Sequence, residues 1–200
     1  MEVNTTDDEG SETYEYIWGN AISVLDQLPS EVTQFRWGGF TELAYFGTGF
    51  YLLESDTRLV YLKYDGSNFG DYIRVGKFPA ANDFSAICTF AGKLLLVNMD
   101  SSSRSSIWQI DAPSTSSSIA EIAVTKLGTL PDTLEVSRAI TAVGDKLYAI
   151  DGVHEELWEI TSLVAVGGLL PVTKIGTLRT GLSMPKAMAY VPELTRPADT

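Results

Sequence analysis

The residues that most often carry chemistry are scarce in this sequence. The 200-residue chain has one histidine, His154, in the turn-like segment "DGVHEEL", and one cysteine, Cys88, in the apolar run "FSAICTF". We expect a surface turn histidine and a buried, inert thiol. The adjacent carboxylates Glu155 and Glu156 fix no catalytic geometry by adjacency alone. The sequence therefore predicts no catalytic residue, no metal site and no cofactor.

Four polar residues share one position in a repeated pattern. They stand five residues before Phe46, Phe90, Val143 and Val191, among apolar or small neighbours, and are Thr41, Ser85, Arg138 and Lys186. Two hydroxyls and two cations at converging strand starts can hold an anion or an acidic side chain. We therefore take these four as the candidate ligand-binding residues. The alternative is that they are polar simply because water reaches the start of a strand.

A repeat of four short strands must position these residues. Each copy has an apolar segment, a glycine-containing turn, a second apolar segment such as "KLYAI", and a third with a large central residue, as in "IWQI" and "LWEI". Because Trp108 and Trp158 stand at equivalent repeat positions, we expect both in the blade core. The fourth segment reads "VGKFP", "LGTLP" or "IGTLR", and its glycines Gly76, Gly128 and Gly176 lie 52 and 48 residues apart. This period is typical of propeller blades, and the 3.6-residue spacing of helical repeats is missing.

The pattern "GxxLYxI…LWxI…GxLP" resembles β-propeller repeat proteins of the Kelch, NHL and WD40 type over nearly the whole chain after residue 12. The resemblance implies an all-β fold, a β-propeller of four-stranded antiparallel blades. The subfamily signatures are incomplete. Trp108 and Trp158 precede glutamine and glutamate instead of the WD40 aspartate, and the Kelch Gly-Gly positions begin with Glu54, Asn98 and Asp151. No functional residue is therefore carried over from these families.

We expect about four blades, three of them complete and one composite that joins strands from both termini. A ring closed in this way leaves no free sheet edge at its seam. The alternatives are a segment of a longer propeller and an arc completed by a second copy, a homo-oligomer. We predict an acidic disordered leader (1–12), three blades at about 36–79, 84–131 and 136–178, and a tail (192–200). The composite blade would take its third and fourth strands from a hairpin at 13–28 and its first strand from 184–191.

The charge of the chain narrows the range of partners. The formal net charge is −12, and residues 1–35 hold eight acids and no base. Nucleic acids and anionic membranes attract a positive field, so we expect no nucleic-acid partner. The longest apolar stretch, "LVAVGGLLPV", is too short for a membrane span, and "MEVNTTDDEG" shows no secretory signal pattern. The compartment is left unknown.

The leading functional prediction is a non-enzymatic binding or scaffolding module. It would recognise a protein or a glycan through the mouth of the central channel or through the blade loops, because the loops vary while the strand core is constant. Two alternatives remain open. One is a metal-dependent hydrolase or lyase with a metal at the axis, and the other is a fragment of a larger surface or structural repeat protein.

Overall fold

The chain forms β-strands wherever a computed structural model describes regular structure. The residues described are 2–6, 12–16, 40–54, 57–65, 69–80, 82, 84–99, 104–118, 120–134 and 137–178. Within these ranges there is no helix, and hence none long and apolar enough to cross a membrane.

Fourteen strands lie in the described ranges. In chain order they are β1 (Glu2–Thr6), β2 (Glu12–Tyr16), β3 (Phe40–Phe46), β4 (Gly49–Glu54), β5 (Arg58–Tyr64), β6 (Phe69–Lys77), β7 (Phe84–Phe90), β8 (Lys93–Met99), β9 (Ser105–Ile110), β10 (Val124–Thr129), β11 (Ser137–Val143), β12 (Lys146–Asp151), β13 (Glu156–Ile160) and β14 (Val172–Thr177).

Strands β3 to β14 form three four-stranded antiparallel sheets, each built from strands that are consecutive in the sequence. These sheets are named blade 1 (β3–β6), blade 2 (β7–β10) and blade 3 (β11–β14). Strand β7 packs against both β3 and β11, so the first strands of the blades lie side by side and the later strands follow outwards. The predicted all-β architecture of four-stranded antiparallel propeller blades is confirmed.

Strand β8 is buried on both of its faces. Leu94 belongs to the apolar cluster that blade 2 shares with Leu53 of blade 1, whereas the next residue, Leu95, belongs to the cluster shared with Leu147 of blade 3. Successive side chains of a strand point to opposite faces of its sheet. The middle blade is therefore sandwiched between its neighbours, which explains why β8 is apolar from Leu94 to Val97.

Three sequence predictions about single residues concern this packing. Cys88 in β7 is buried, as expected. Trp108 packs against the cluster between blades 1 and 2, and Trp158 packs against the one between blades 2 and 3. Both tryptophans therefore contribute to blade packing, as their repeat positions predicted.

The connection between the third and fourth strands of one blade lies along the fourth strand of the preceding blade. The backbone N–H of Ile122 in blade 2 donates to the carbonyl oxygen of Lys77 in blade 1 at 2.8 Å. The N–H of Leu170 in blade 3 donates to the carbonyl oxygen of Thr129 in blade 2, also at 2.8 Å. These two equivalent arrangements are named the interblade contacts.

Each interblade contact explains a repeated glycine. A Cβ atom added at Gly76 would lie 2.9 Å from the carbonyl oxygen of Ala120, and one added at Gly128 would lie 2.8 Å from Cγ of Leu170. Real Cβ atoms essentially never approach other atoms so closely, so only glycine lets the next blade pack here. At the third equivalent position, Gly176, no described residue lies within 4 Å.

The N-terminal residues form a separate two-stranded sheet, in which β1 pairs with β2. The segment 1–12, predicted to be a disordered leader, thus contains a strand. Valine and threonine favour extended backbone, and in residues 2–6 they outweigh the acidic composition on which the prediction rested. Residues 21–28, the closing strand 184–191 and the tail 192–200 lie outside the described residues. The predicted domain boundaries stay a prediction.

Candidate functional site

Three of the four predicted ligand-binding residues occupy equivalent positions. Thr41, Ser85 and Arg138 are each the second residue of a first strand, in β3, β7 and β11. Lys186 lies outside the described residues, as do the side chains of Thr41 and Arg138. The anion site that these four residues would form stays a prediction.

A β-bulge interrupts the sheet at this position in every blade. The pairing of β7 with β8 skips Ser85, the pairing of β11 with β12 skips Arg138, and the shift in β3 falls between Phe40 and Leu43. Bulges re-aim side chains and are enriched beside binding sites. The hydroxyl oxygen of Ser85 is buried and has no hydrogen-bond partner among the residues described.

Across each bulge a buried polar residue is the last or the last but one of the second strand of the blade. Glu54 is 5% exposed, Asn98 6% and Asp151 0%. Buried polar groups are costly unless they are hydrogen-bonded, so each needs a local solution. In the sequence alone, these positions stand out only as departures from the Kelch pattern. The overlooked signal is a polar residue at the end of an otherwise apolar strand, as in "FYLLE" and "KLYAID".

Asp151 organises the turn between β12 and β13. Its Oδ1 accepts the backbone N–H of Val153 at 2.8 Å and that of His154 at 3.0 Å, while Oδ2 lies 2.8 Å from Nδ1 of His154. Burial opposes ionisation, but the hydrogen bonds from His154 and Val153 outweigh it and hold the pKa of Asp151 below its ordinary value. His154 lies in the exposed turn that the sequence predicted, and a buried carboxylate fixes its ring.

The cost of burying the Glu54 carboxylate is offset by different partners. Its Oε1 accepts hydrogen bonds from the Tyr72 hydroxyl at 3.2 Å and from the Arg74 guanidinium at 3.3 Å, and Arg58 lies 3.7 Å from Oε2. Burial, reinforced by the neighbouring charge of Glu54, raises the pKa of Tyr72 to about 12. Blade 1 thus uses arginines where blade 3 uses a turn and a histidine.

A cleft of about 520 Å³ lies beside the Asp151 turn. Its walls come from the connection between blades 2 and 3 and from the turn and outer strands of blade 3. The cleft is shallow and lies largely open to solvent. The lining residues are Asp132, Thr133, His154, Glu156, Trp158 and Lys174.

Ion pairs fix the charged side chains of this cleft. The Lys174 ammonium contacts the Glu156 carboxylate between the two outermost strands of blade 3. On the opposite wall, the Asp132 carboxylate accepts a hydrogen bond of 2.9 Å from the Arg104 guanidinium. Asp132 and Lys174 are both exposed, so the cleft presents a carboxylate and an ammonium group to solvent.

Blades 2 and 3 differ beside their tryptophans. In blade 2, Nε1 of Trp108 donates to Oγ of Ser106 at 2.9 Å. The strand register places Glu156 where blade 2 has Ser106, and Glu156 turns towards Lys174 instead. Nε1 of Trp158 is consequently buried without a hydrogen-bond partner within the described ranges. An orphaned donor of this kind costs about 1–3 kcal/mol, so blade 3 gives up stability to place its charges in the cleft.

Sequence reasoning missed this cleft as a site. It treated Glu156 only as half of an adjacent acidic pair, and it assigned Trp158 to the blade core. A comparison of the residues that precede each tryptophan by two positions, Ser106 and Glu156, would have shown the difference. In the part of the chain that the structure describes, no group of three or more His, Cys, Asp or Glu side chains is placed to hold a metal ion.

No protein-family model matches the chain, and no curated protein matches its sequence. Among solved structures, the chain is similar to virginiamycin B lyase from Staphylococcus aureus, with 15% sequence identity and a TM-score of 0.44. The match covers 93% of this chain and 52% of that protein, so the chain spans about half its length. A likeness of this size carries no argument about activity.

Proposed function

We propose that this protein is a binding module that recognises a glycan in the cleft of blade 3. Sugars present hydroxyls that both donate and accept hydrogen bonds, together with apolar C–H faces. The cleft offers matching partners: carboxylates from Asp132 and Glu156, the Lys174 ammonium, the Thr133 hydroxyl and the indole of Trp158.

The observation that carries the proposal is the Glu156–Lys174 pair beside Trp158. The pair holds an acceptor and a donor next to an aromatic ring before any ligand arrives. Side chains that are already ordered lose little conformational entropy on binding, which favours affinity. The mixture of both charge signs favours a neutral, hydroxyl-rich ligand over a strongly charged one.

A second candidate function, acid–base catalysis, is supported by the contact between Asp151 and His154. A buried carboxylate against Nδ1 fixes the orientation of an imidazole that lines the cleft, and an oriented histidine is the most common general acid or base. The predicted alternatives, a hydrolase or lyase with a metal at the axis and a fragment of a larger repeat protein, stay predictions.

The test is a glycan-array screen of the full chain, followed by calorimetric titration of the best ligand. Lys174→Met is expected to weaken binding about tenfold or more, since a hydrogen bond to a charged group contributes about 1.5–3 kcal/mol. The matched control is Lys126→Met. Lys126 pairs with Trp108 in blade 2 as Lys174 pairs with Trp158 in blade 3, but Lys126 does not line the cleft. The affinity of the Lys126→Met variant for the glycan should therefore be unchanged.

Two results would contradict the glycan proposal: no glycan bound at millimolar concentration, or an affinity that Lys174→Met leaves unaltered. Turnover of the bound glycan separates the two candidate functions. Turnover that His154→Gln abolishes while binding is retained would establish the catalytic candidate. Binding without turnover in the native chain would rule it out.

A further inference from the structure

Two interblade contacts show what covers the fourth strand of a blade. In blade 2, Gly128 is covered by Ala165 and Leu170, which belong to the connection between the third and fourth strands of blade 3. In blade 1, Gly76 is covered in the same way by Ala120 and Ile122 of blade 2. Each contact adds a short parallel bridge to the fourth strand, outside the regular sheet. The covering segment always belongs to the blade that comes next.

Blade 3 carries the same surface without a described cover. No described residue comes within 4 Å of the Cβ position of Gly176. Ile175, the residue before it, is 51% exposed, whereas Val75 at the equivalent position of blade 1 is 4% exposed. The surface of Ile175 and Gly176 thus matches the fourth-strand side of an interblade contact, and no described segment covers it.

We propose that a fourth blade covers this surface, and that the N-terminal hairpin β1–β2 of the same chain supplies its second and third strands. This places residues 13–16 in a third strand, as the sequence predicted. It also adds the second strand that a composite blade requires, in residues 2–6. The remaining sides of the blade would come from the sequence that follows β2 and from the predicted closing strand 184–191.

The register of the hairpin supports this assignment. Thr6 lies opposite Glu12 across the β1–β2 turn, in the same way that Asp151 lies opposite Glu156 in blade 3. Counting from that pair, the residue two positions along the third strand is Tyr14 in the hairpin. The same count from the equivalent pair gives Trp108 in blade 2 and Trp158 in blade 3, whereas blade 1 has Val60 there.

Chain length and the far side of blade 1 agree with a fourth blade. Residues 17–39, which link β2 to β3, are more numerous than residues 65–83 and fewer than 111–136, the two links that already contain a fourth strand. Leu52 and Val60 form a separate apolar cluster made of blade 1 residues alone. Leu52 is 8% and Val60 0% exposed, the burial expected of a sheet face that a neighbouring blade covers.

The first test uses Gly176→Val in the full chain, with Gly128→Val as the matched variant. On an uncovered strand, valine is neutral or stabilising because it favours extended backbone. Against a covering segment, valine collides as it must at Gly128. We expect Gly176→Val to lower the urea midpoint of unfolding by about as much as Gly128→Val does. An unchanged or raised midpoint would overturn the proposal.

The second test asks whether the hairpin packs beside this surface as part of the fourth blade. A double-mutant cycle of Tyr14→Ala and Ile175→Ala measures whether the hairpin and the surface interact. We expect the two substitutions together to lower the unfolding midpoint by less than the sum of their separate effects. Strict additivity would show that another segment covers blade 3, and a dimer in native mass spectrometry would show that a second copy does. Either result would refute the assignment to the chain's own hairpin.

Discussion

A single buried carboxylate gives blade 3 a dependence on pH. The pKa of Asp151 is lower in the folded chain than the ordinary value of 3.8, so at acid pH the folded state binds fewer protons than the unfolded state. The stabilisation is fully present above the ordinary value and is lost as pH falls through the folded value. Protonation of Asp151 at acid pH therefore lowers the stability of the folded chain, because His154 and Val153 hydrogen-bond to the ionised carboxylate.

Substitution of this carboxylate tests that dependence. Asp151→Asn is expected to reduce the free energy of unfolding at pH 7 by about 1–3 kcal/mol, because buried hydrogen bonds to a charged acceptor are weakened. The difference from the native chain should shrink when urea unfolding is repeated at pH 3. The control is Asp145→Asn, at an exposed turn residue of the same blade, which should change stability by less than about 0.5 kcal/mol. An Asp151→Asn effect of equal size at both pH values would contradict the assignment.

Candidate binding residues could be predicted only where they share a position in the sequence repeat. The register of Thr41, Ser85 and Arg138 at strand starts could be seen from spacing, because a period is a property of the sequence. The bulge at that register could not, because it depends on how the second strand pairs. Asp132 and Lys174 meet across two blades, and nothing local in either segment indicates the other. The cleft is thus a product of tertiary packing.

The turns between the first and second strands show how one element differs among its copies. Each turn has two residues, and its first residue has a positive φ: 65° at Gly47, 49° at Ala91 and 62° at Gly144. Alanine is the exception, since the left-handed region costs a residue with a Cβ about 1–2 kcal/mol. Blade 2 therefore contains a strained turn that the other two blades avoid.

This strain predicts a stabilising substitution. Ala91→Asn should raise the free energy of unfolding by about 1 kcal/mol, because asparagine tolerates the left-handed region and Asn-Gly is the preferred pair for such turns. Thermal unfolding should show a higher midpoint than for the native chain. Thr48→Asn, at a turn residue whose φ is not positive, should give no comparable gain. A lower midpoint for Ala91→Asn would show that the turn adopts another conformation.

Elements were more predictable than their contacts. Strands such as β4 and β12 were evident because apolar segments alternate with turn residues at short intervals. The repeated glycines were equally evident, but their reason was not. The atoms that exclude a Cβ at Gly128 belong to Leu170, far along the sequence, so only the folded chain shows why glycine is required there.

At the scale of the whole molecule, blade 2 connects the three blades. Because β8 contributes Leu94 to one interblade cluster and Leu95 to the other, neither cluster can come apart without disturbing this strand. The three blades are therefore expected to unfold together and not one after another.

Unfolding followed by two probes tests that expectation. In a variant with Trp18→Phe and Trp37→Phe, tryptophan fluorescence reports on Trp108 and Trp158 at the blade interfaces. Far-ultraviolet circular dichroism reports on all strands. Their urea transitions should coincide with a single midpoint. Leu95→Ala, which opens a cavity and should cost about 2–5 kcal/mol, should move both transitions by the same amount. Separate transitions would show that the blades unfold independently.

The interblade contacts also form in a fixed order during synthesis of the chain. A ribosome makes the chain from the N-terminus, so the fourth strand of a blade emerges before the segment that will cover its glycine. The strand that contains Gly76 must wait for Ile122, and the one that contains Gly128 must wait for Leu170. A nascent chain therefore always carries one uncovered outer strand, the kind of edge at which chains aggregate. Each newly made blade protects the one before it, and a chain released early would keep its last blade unprotected.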